Sequence, residues 1–244
     1  MVYTEKGWNV MSSAEVFKIF SNDILDYFLP RFCSSCSTKL LSNENTICFN
    51  CLSKIQIAEQ PRLAHEFNRK FADANIIADF FAMFVFEKDK ELQHAIHSLK
   101  YENKFPIGVY LGSLLAEKIL ISKTVWKIDL IIPIPLHHLK KAERGYNQSL
   151  YIAKGLSKVL HCRFSDRIIK RIKYTESQTG MNLKERQKNM LEAFKIRNKK
   201  TIQGKTILLV DDVITTGATI SECGKILLES GAQKVYAASI AIAD

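Results

Sequence analysis

Residues 207–219 constrain this chain more than any other stretch. Ile207, Leu208, Leu209 and Val210 are four consecutive apolar residues. That is the pattern of a strand buried on both faces, as in a parallel sheet. Asp211 and Asp212 follow at its carboxyl end. Thr215, Thr216, Gly217, Ala218 and Thr219 come next, and an apolar-periodic run over 220–228 reads as a helix. In an open α/β sheet, ligands settle at the carboxyl ends of the strands. Hydroxyls and free backbone N–H groups at a helix N-terminus favour a phosphate. Adjacent carboxylates suit ribose hydroxyls or a hydrated Mg²⁺. Together these describe a ribose 5-phosphate derivative. An ATP-binding reading needs a phosphate loop, and the nearest candidate is Gly204-Lys205-Thr206. It precedes a strand where such a loop must follow one, and Lys199 stands where its first glycine should be.

A second pattern lies near the start. Cys33 and Cys36 are separated by two residues, as are Cys48 and Cys51, with eleven residues between the pairs. Two such pairs can place four thiolates around a tetrahedral Zn²⁺, each forming a tight knuckle with a short hairpin between them. No water-holding ligand is implied, so the expected site is closed and structural. Two disulfides are the alternative, and the expected cytoplasmic setting opposes them. Residues 1–13 lack the apolar core of a signal peptide, and no 18-residue uncharged apolar run is present, so no membrane insertion is expected.

The 244 residues suffice for one α/β domain and a small accessory module. The reading divides them at residue 60: an N-terminal helix and zinc ribbon over 1–60, and the α/β domain over 61–244. Residues 14–28 show amphipathic helical spacing, with Glu15, Asp23 and Asp26 against Lys18 on the polar face. That charge suits packing on protein better than on a membrane surface. Residues 55–75 read as a linker, 76–86 as a strand, and 88–100 and 107–121 as helices. Residues 129–135 read as a buried strand stopped by prolines. Residues 136–148 read as a loop at that strand's carboxyl end, carrying Lys140, Lys141 and Arg144. Residues 149–160 read as a helix, 167–173 and 193–196 as short strands, and 235–242 as the last strand. Residues 175–189 read as a polar lid whose closure excludes water from a charged site.

Net charge is +10 and unevenly placed. Residues 136–205 hold 18 Lys and Arg against 5 Asp and Glu. Such a block suits an anionic ligand or a nucleic acid.

The 211–219 stretch resembles the signature of type I phosphoribosyltransferases, which bind phosphoribosyl pyrophosphate (PRPP). A closer likeness follows from the order of motifs. The four cysteines come first, then Ile96-His97-Ser98-Leu99-Lys100-Tyr101. Pro133-Ile134-Pro135-Leu136 and Arg144-Gly145-Tyr146-Asn147-Gln148 follow, then Thr175 with Gln178 and Arg186 with Asn189, and finally the signature itself. In that order the chain resembles the ComF family of competence proteins from about residue 29 onward. Lys140 and Lys141 depart from the arginine common there, and lysine lacks the bidentate fork.

The resemblance implies a type I phosphoribosyltransferase fold, a parallel sheet flanked by helices, behind a four-cysteine zinc ribbon. It implies PRPP and Mg²⁺ as ligands, and a role with single-stranded DNA and DNA-uptake proteins in natural transformation. It implies that Asp211 and Asp212 hold the ribose hydroxyls and that residues 215–219 wrap the 5′-phosphate. Lys140, Lys141 and Arg144 are then expected to hold pyrophosphate, with Arg186 arriving on the lid. Three functions compete: a Mg²⁺-dependent transferase, a DNA-binding accessory factor keeping the fold without turnover, and a PRPP-sensing regulator. The last is weakened by the lack of a helix-turn-helix pattern.

Overall fold

The computed structural model describes residues 29–72, 75–173 and 193–243. The readings made for residues 14–28 and 175–189, Arg186 among them, lie outside these. Four strands form one parallel sheet: β1 (Asp79–Val85), β2 (Leu130–Pro133), β5 (Thr206–Ile214) and β6 (Lys234–Ile242), in the order β1-β6-β5-β2. The central strands carry the long apolar runs, and residues 207–210 of β5 are fully buried. A strand buried on both faces has no room for alternation, which is why these runs are unbroken.

A single residue extends the sheet. Phe164 bridges to Ile131 in parallel, so the chain leaving β2 returns to that strand's outer edge. It gets there through α5 (His138–Arg144) and α6 (Gln148–Leu160). The chain leaving β5 passes through α7 (Ala218–Glu229) to β6, on the other side. Connections from β2 and β5 therefore depart in opposite directions, and a crevice opens between their carboxyl ends.

Helices cover both faces. On β1, Phe80 meets Phe67 and Phe71, with ring centroids 6.4 and 5.6 Å away. Those rings belong to α2 (Gln60–Lys70) and the residue after it. Phe81 points the other way and lines a cavity with Leu114 and Lys118 of α4 (Pro106–Ser122). The expected linker over 55–75 is thus corrected: it contains α2. Its apolar stripe is only Leu63, Phe67 and Phe71, one residue per turn, too thin a signal to stand out among charged neighbours.

Glu66 of α2 is 1% exposed and is ringed by Arg62, Arg69 and Lys70 at 3.2, 2.7 and 3.1 Å. Burial raises its pKa, but Arg69 and Lys70 more than offset this and hold it below the usual range. Between α2 and the ribbon, Ala58 donates to Met83 O and Val85 donates to Gln56 O, so residues 56–58 run along β1. The ribbon itself rests on α3 (Glu91–Tyr101): Ser98 Oγ donates to Ser34 O at 3.1 Å and Ser35 Oγ to Glu91 O at 2.9 Å. A two-stranded antiparallel hairpin, β3 (Ile169–Arg171) with β4 (Phe194–Ile196), stands beside α7.

α4 and α6 approach so closely that glycine is required. A Cβ at Gly112 would lie 2.2 Å from Ile152 O, and one at Gly155 2.1 Å from Val109 O. Both neighbours are backbone and cannot step aside. Alanine gains about 1 kcal/mol of helix propensity over glycine, but overpacking costs roughly 1–3 kcal/mol. The clash should win. Gly112→Ala should lower stability by about 2 kcal/mol, read as the urea midpoint. An unchanged or raised midpoint would mean that the helices can separate without loss.

Candidate functional site: an acid pair in a cationic crevice

β5 continues past its partner. β2 pairs with residues 207–210 and stops, because Pro133 and Pro135 leave few donors to extend the ladder. Asp211 and Asp212 remain strand residues, paired on the β6 side through Asp211 and Ser239, with the β2 side open. The pair stands in the carboxyl-terminal half of β5, as expected, at the mouth of the crevice.

Each carboxylate has its own partners. Asp211 Oδ1 accepts from Ser149 Oγ at 2.9 Å, from the first turn of α6. Asp212 Oδ2 pairs with Lys100 Nζ at 2.6 Å, from the last turn of α3. Burial and the neighbouring Asp212 charge push Asp211 up to about 7, against the Ser149 bond. Burial also acts on Asp212, but Lys100 outweighs it and holds this carboxyl below the usual range. The two neighbours are thereby set apart, one readily protonated and one firmly ionised.

After β5, residues 215–217 turn into α7. Gly217 caps the helix at φ +77°, where a side chain would be strained, and a Cβ there would meet Phe71 at 2.8 Å. No side chain caps this N-terminus from Gly217, while Thr216 Oγ1 accepts from Ala218 N at 3.4 Å. Thr215 is exposed, and Thr216, Ala218 and Thr219 are half-buried. Lys70 Nζ reaches across from α2 and donates to the Thr215 carbonyl and, at 3.0 Å, to Ala243 O. Its ammonium is neutralised by Glu66 from behind, so it can be spent on fixing the loop.

The expected loop over 136–148 is corrected: residues 138–144 form α5. His137 is buried and caps it, Nδ1 accepting from Leu139 N at 3.4 Å. The adjacent histidines thus serve packing and capping. The helix sets Lys140 and Lys141 four and three residues before Arg144, so both neighbour it on the helix surface. Lys140 is half-buried, and burial, Arg171 and Arg144 lower its pKa. Arg144, one turn on, lies over the Tyr101 ring at 5.4 Å and donates to Gln148 Oε1 at 3.2 Å. Lys141 is exposed and lines a cavity with Lys170 and Arg171 of β3. Arg144 Nε and Gln148 Nε2 are buried with no acceptor among the described residues. Buried donors of this kind are satisfied by a water or an anion in the crevice.

Lys100 and Ser149 were not singled out by sequence reading. Lys100 sits inside the 96–101 motif, and only the fold shows its partner, 112 positions away. Arg171 likewise belongs here: burial lowers its pKa, and Asp211 opposes that shift.

The four cysteine sulfurs lie within 4.8 Å of one another, Cys36 to Cys48 at 3.8 Å. Tetrahedral zinc with ligands at about 2.3 Å sets sulfurs roughly 3.8 Å apart, whereas a disulfide needs about 2.05 Å. Backbone N–H groups of Ser35 and Cys48 donate to Cys33 Sγ at 3.4 and 3.3 Å, which suits thiolates. The second knuckle opens a helix, α1 (Phe49–Lys54), with Cys48 as its cap. The hairpin expected between the pairs is corrected: the antiparallel bridge, Phe32 with Lys39, straddles the first pair. Buried Glu44 ties the rest, accepting from Leu41 N at 2.8 Å and Phe49 N at 2.7 Å.

A carboxyl with a raised folded pKa stabilises most below the ordinary carboxylate range, and that contribution is lost as pH rises through about 7. Asp211→Asn keeps the acceptor for Ser149 and removes the charge. It should raise stability at pH 8 by about 2–4 kcal/mol and change it little near pH 4. Denaturant melts at the two pH values test this; a loss of stability at pH 8 would contradict it.

Residues 146–243 match a phosphoribosyl transferase domain. Competence protein F of Haemophilus influenzae is 35% identical over 144 residues, 57% of this chain and 63% of that protein. DNA utilization protein YhgH of Escherichia coli K12 is 32% identical, over 59% of this chain and 64% of that one. Competence protein ComFC of Streptococcus pneumoniae is 31% identical, over 64% and 66%. The chain thus spans a little under two thirds of the length of each. With its parallel sheet and four-cysteine cluster, the chain has a type I phosphoribosyltransferase fold and is a relative of the competence F and ComFC proteins.

Proposed function

We propose that the crevice between β2 and β5 binds PRPP with Mg²⁺, making this a ComF-type phosphoribosyltransferase-like protein. The observation that carries the reading is the acid pair standing beyond the end of β2, beside the Gly217 turn into α7. Carboxylates accept from two ribose hydroxyls, and N–H groups at the start of α7 accommodate a 5′-phosphate. Lys140 and Arg144, with Arg171 near, offer charge to pyrophosphate. Asp211 and Asp212 are also the groups present that can hold Mg²⁺, which would neutralise pyrophosphate oxygens. As pyrophosphate departs, positive charge grows on the sugar. Asp212, kept ionised by Lys100, is placed to stabilise it. Asp211 accepts hydroxyls and attracts Mg²⁺ more strongly when ionised, so binding should strengthen as pH rises through about 7.

A part in DNA uptake is what the relatives' names support. The names competence protein and DNA utilization protein belong to those proteins, and we extend the role to this chain as a proposal. The unit over 61–244 would carry the ligand, and the ribbon over 1–60 would hold zinc. A cytoplasmic setting keeps thiolates reduced and suits that metal. Among the described residues no helix is long and apolar enough to cross a membrane.

Asp211→Asn combined with Asp212→Asn should abolish calorimetric binding of PRPP with Mg²⁺ in a protein that remains folded. Unchanged affinity would remove the ribose assignment. For the ribbon, metal analysis should give one zinc per chain, lost on replacing Cys33 and Cys51 by serine. Protein free of zinc, with disulfides found by mass spectrometry, would overturn the metal reading.

A further inference from the structure

Glu66 and Lys70 are four residues apart, so they share one face of α2. Both are nearly out of solvent, with side chains 1% and 4% exposed, and their charges meet at 3.1 Å. A buried ammonium is costly unless its donors are used. This one has two further acceptors. The first is the carbonyl of Thr215, directly after β5. The second, at 3.0 Å, is the carbonyl of Ala243, directly after β6. Ala243 N in turn donates to Ile214 O at 2.9 Å. Lys70 therefore sits over the seam between β5 and β6. The crevice opens on the other side of β5, toward β2.

That placement fixes more than one oxygen. The C=O of Thr215 and the N–H of Thr216 belong to the same planar trans peptide and point in opposite directions. With the oxygen held on the β6 side, the N–H is turned to the crevice side. The N–H groups of Thr216 and Gly217 have no acceptor among the described residues. Were the peptide to turn over, the crevice would face a carbonyl oxygen in place of a donor, and that oxygen repels an anion.

We propose that Lys70 is a positioning residue for the 5′-phosphate. It locks the peptide between Thr215 and Thr216 in the orientation that presents an N–H to the ligand, and Glu66 keeps the buried ammonium charged and aimed. The identity of the ligand rests on the PRPP reading of the crevice; the lock stands on the hydrogen bonds of Lys70. Lys70 does not touch the ligand. Its effect falls on the phosphate at the sugar end of PRPP and not on pyrophosphate, which the same reading sets toward α5.

The test compares two ligands that differ in the sugar phosphate. The full chain is titrated calorimetrically with PRPP and Mg²⁺ and, separately, with pyrophosphate and Mg²⁺. One variant is Lys70→Met, which leaves Glu66 paired with Arg62 and Arg69. A second, Glu66→Gln with Lys70→Met, removes both charges of the pair and buries no unpaired ion. Lys123→Met is the control, because it breaks a comparable contact with Asp79 at the amino end of β1, away from the crevice. Both Lys70 variants should lose about tenfold or more in affinity for PRPP while pyrophosphate stays within about twofold. The control should change neither. Amide order parameters of residues 215–217 read the turn with no ligand present: they should match those of α7 in wild type and fall below about 0.6 in the Lys70 variants. Wild-type affinity and order in folded Lys70 variants would overturn the proposal. Equal losses for the two ligands would also overturn it, since α2 would then be a general support. If wild type does not bind PRPP, the donor reading fails, and the order parameters by themselves decide whether Lys70 holds the turn.

Discussion

Two carboxylates on consecutive residues, partly buried, repel. At roughly 5 Å and an effective dielectric near 20, the repulsion is about 3 kcal/mol. Much of the structure around β5 answers that repulsion. Lys100 neutralises Asp212 at 2.6 Å, and Ser149 gives Asp211 a hydrogen bond at 2.9 Å. Arg171 adds positive charge from the hairpin. What remains unbalanced is concentrated on Asp211, whose pKa rises to about 7. A pair arranged only for stability would have been replaced by apolar residues, which cost nothing in a parallel strand. The arrangement instead keeps acceptor oxygens ready at the open end of the sheet.

The site draws on the whole described chain, not only on its C-terminal half. Lys100 comes from α3, before the region that matches the transferase domain. Lys70 comes from α2 and holds the carbonyl of Thr215, at the start of the phosphate-binding turn. Glu66 keeps that lysine neutralised while it is almost wholly out of solvent. Phe71, next along, packs against Gly217 and sets how the turn enters α7. Residues 56–58 run from the ribbon along β1 into α2. The ribbon is thereby joined by backbone hydrogen bonds to the element that shapes the turn.

Much of this was legible in the sequence, for physical reasons that differ by element. The strands of the sheet announced themselves as unbroken apolar runs, and the cysteine pairs by their spacing. The acid pair and the turn after it were legible because their chemistry is consecutive in the chain. α2 was not, since its stripe is one apolar residue per turn and its key buried residue, Glu66, is charged. α5 was not, since a seven-residue helix with no buried side chain has no apolar signal at all. The placing of Lys140 and Lys141 beside Arg144 on one helix follows only once those residues are helical. Lys100 and Ser149 are partners of the acid pair across 112 and 62 positions, and no local pattern can carry such a pairing.

The most direct measurement is a crystal structure of the protein grown with PRPP and Mg²⁺. The account expects ribose hydroxyls on Asp211 and Asp212, the 5′-phosphate against residues 215–219, and pyrophosphate toward Lys140 and Arg144. Ligand density that avoids the acid pair would contradict it.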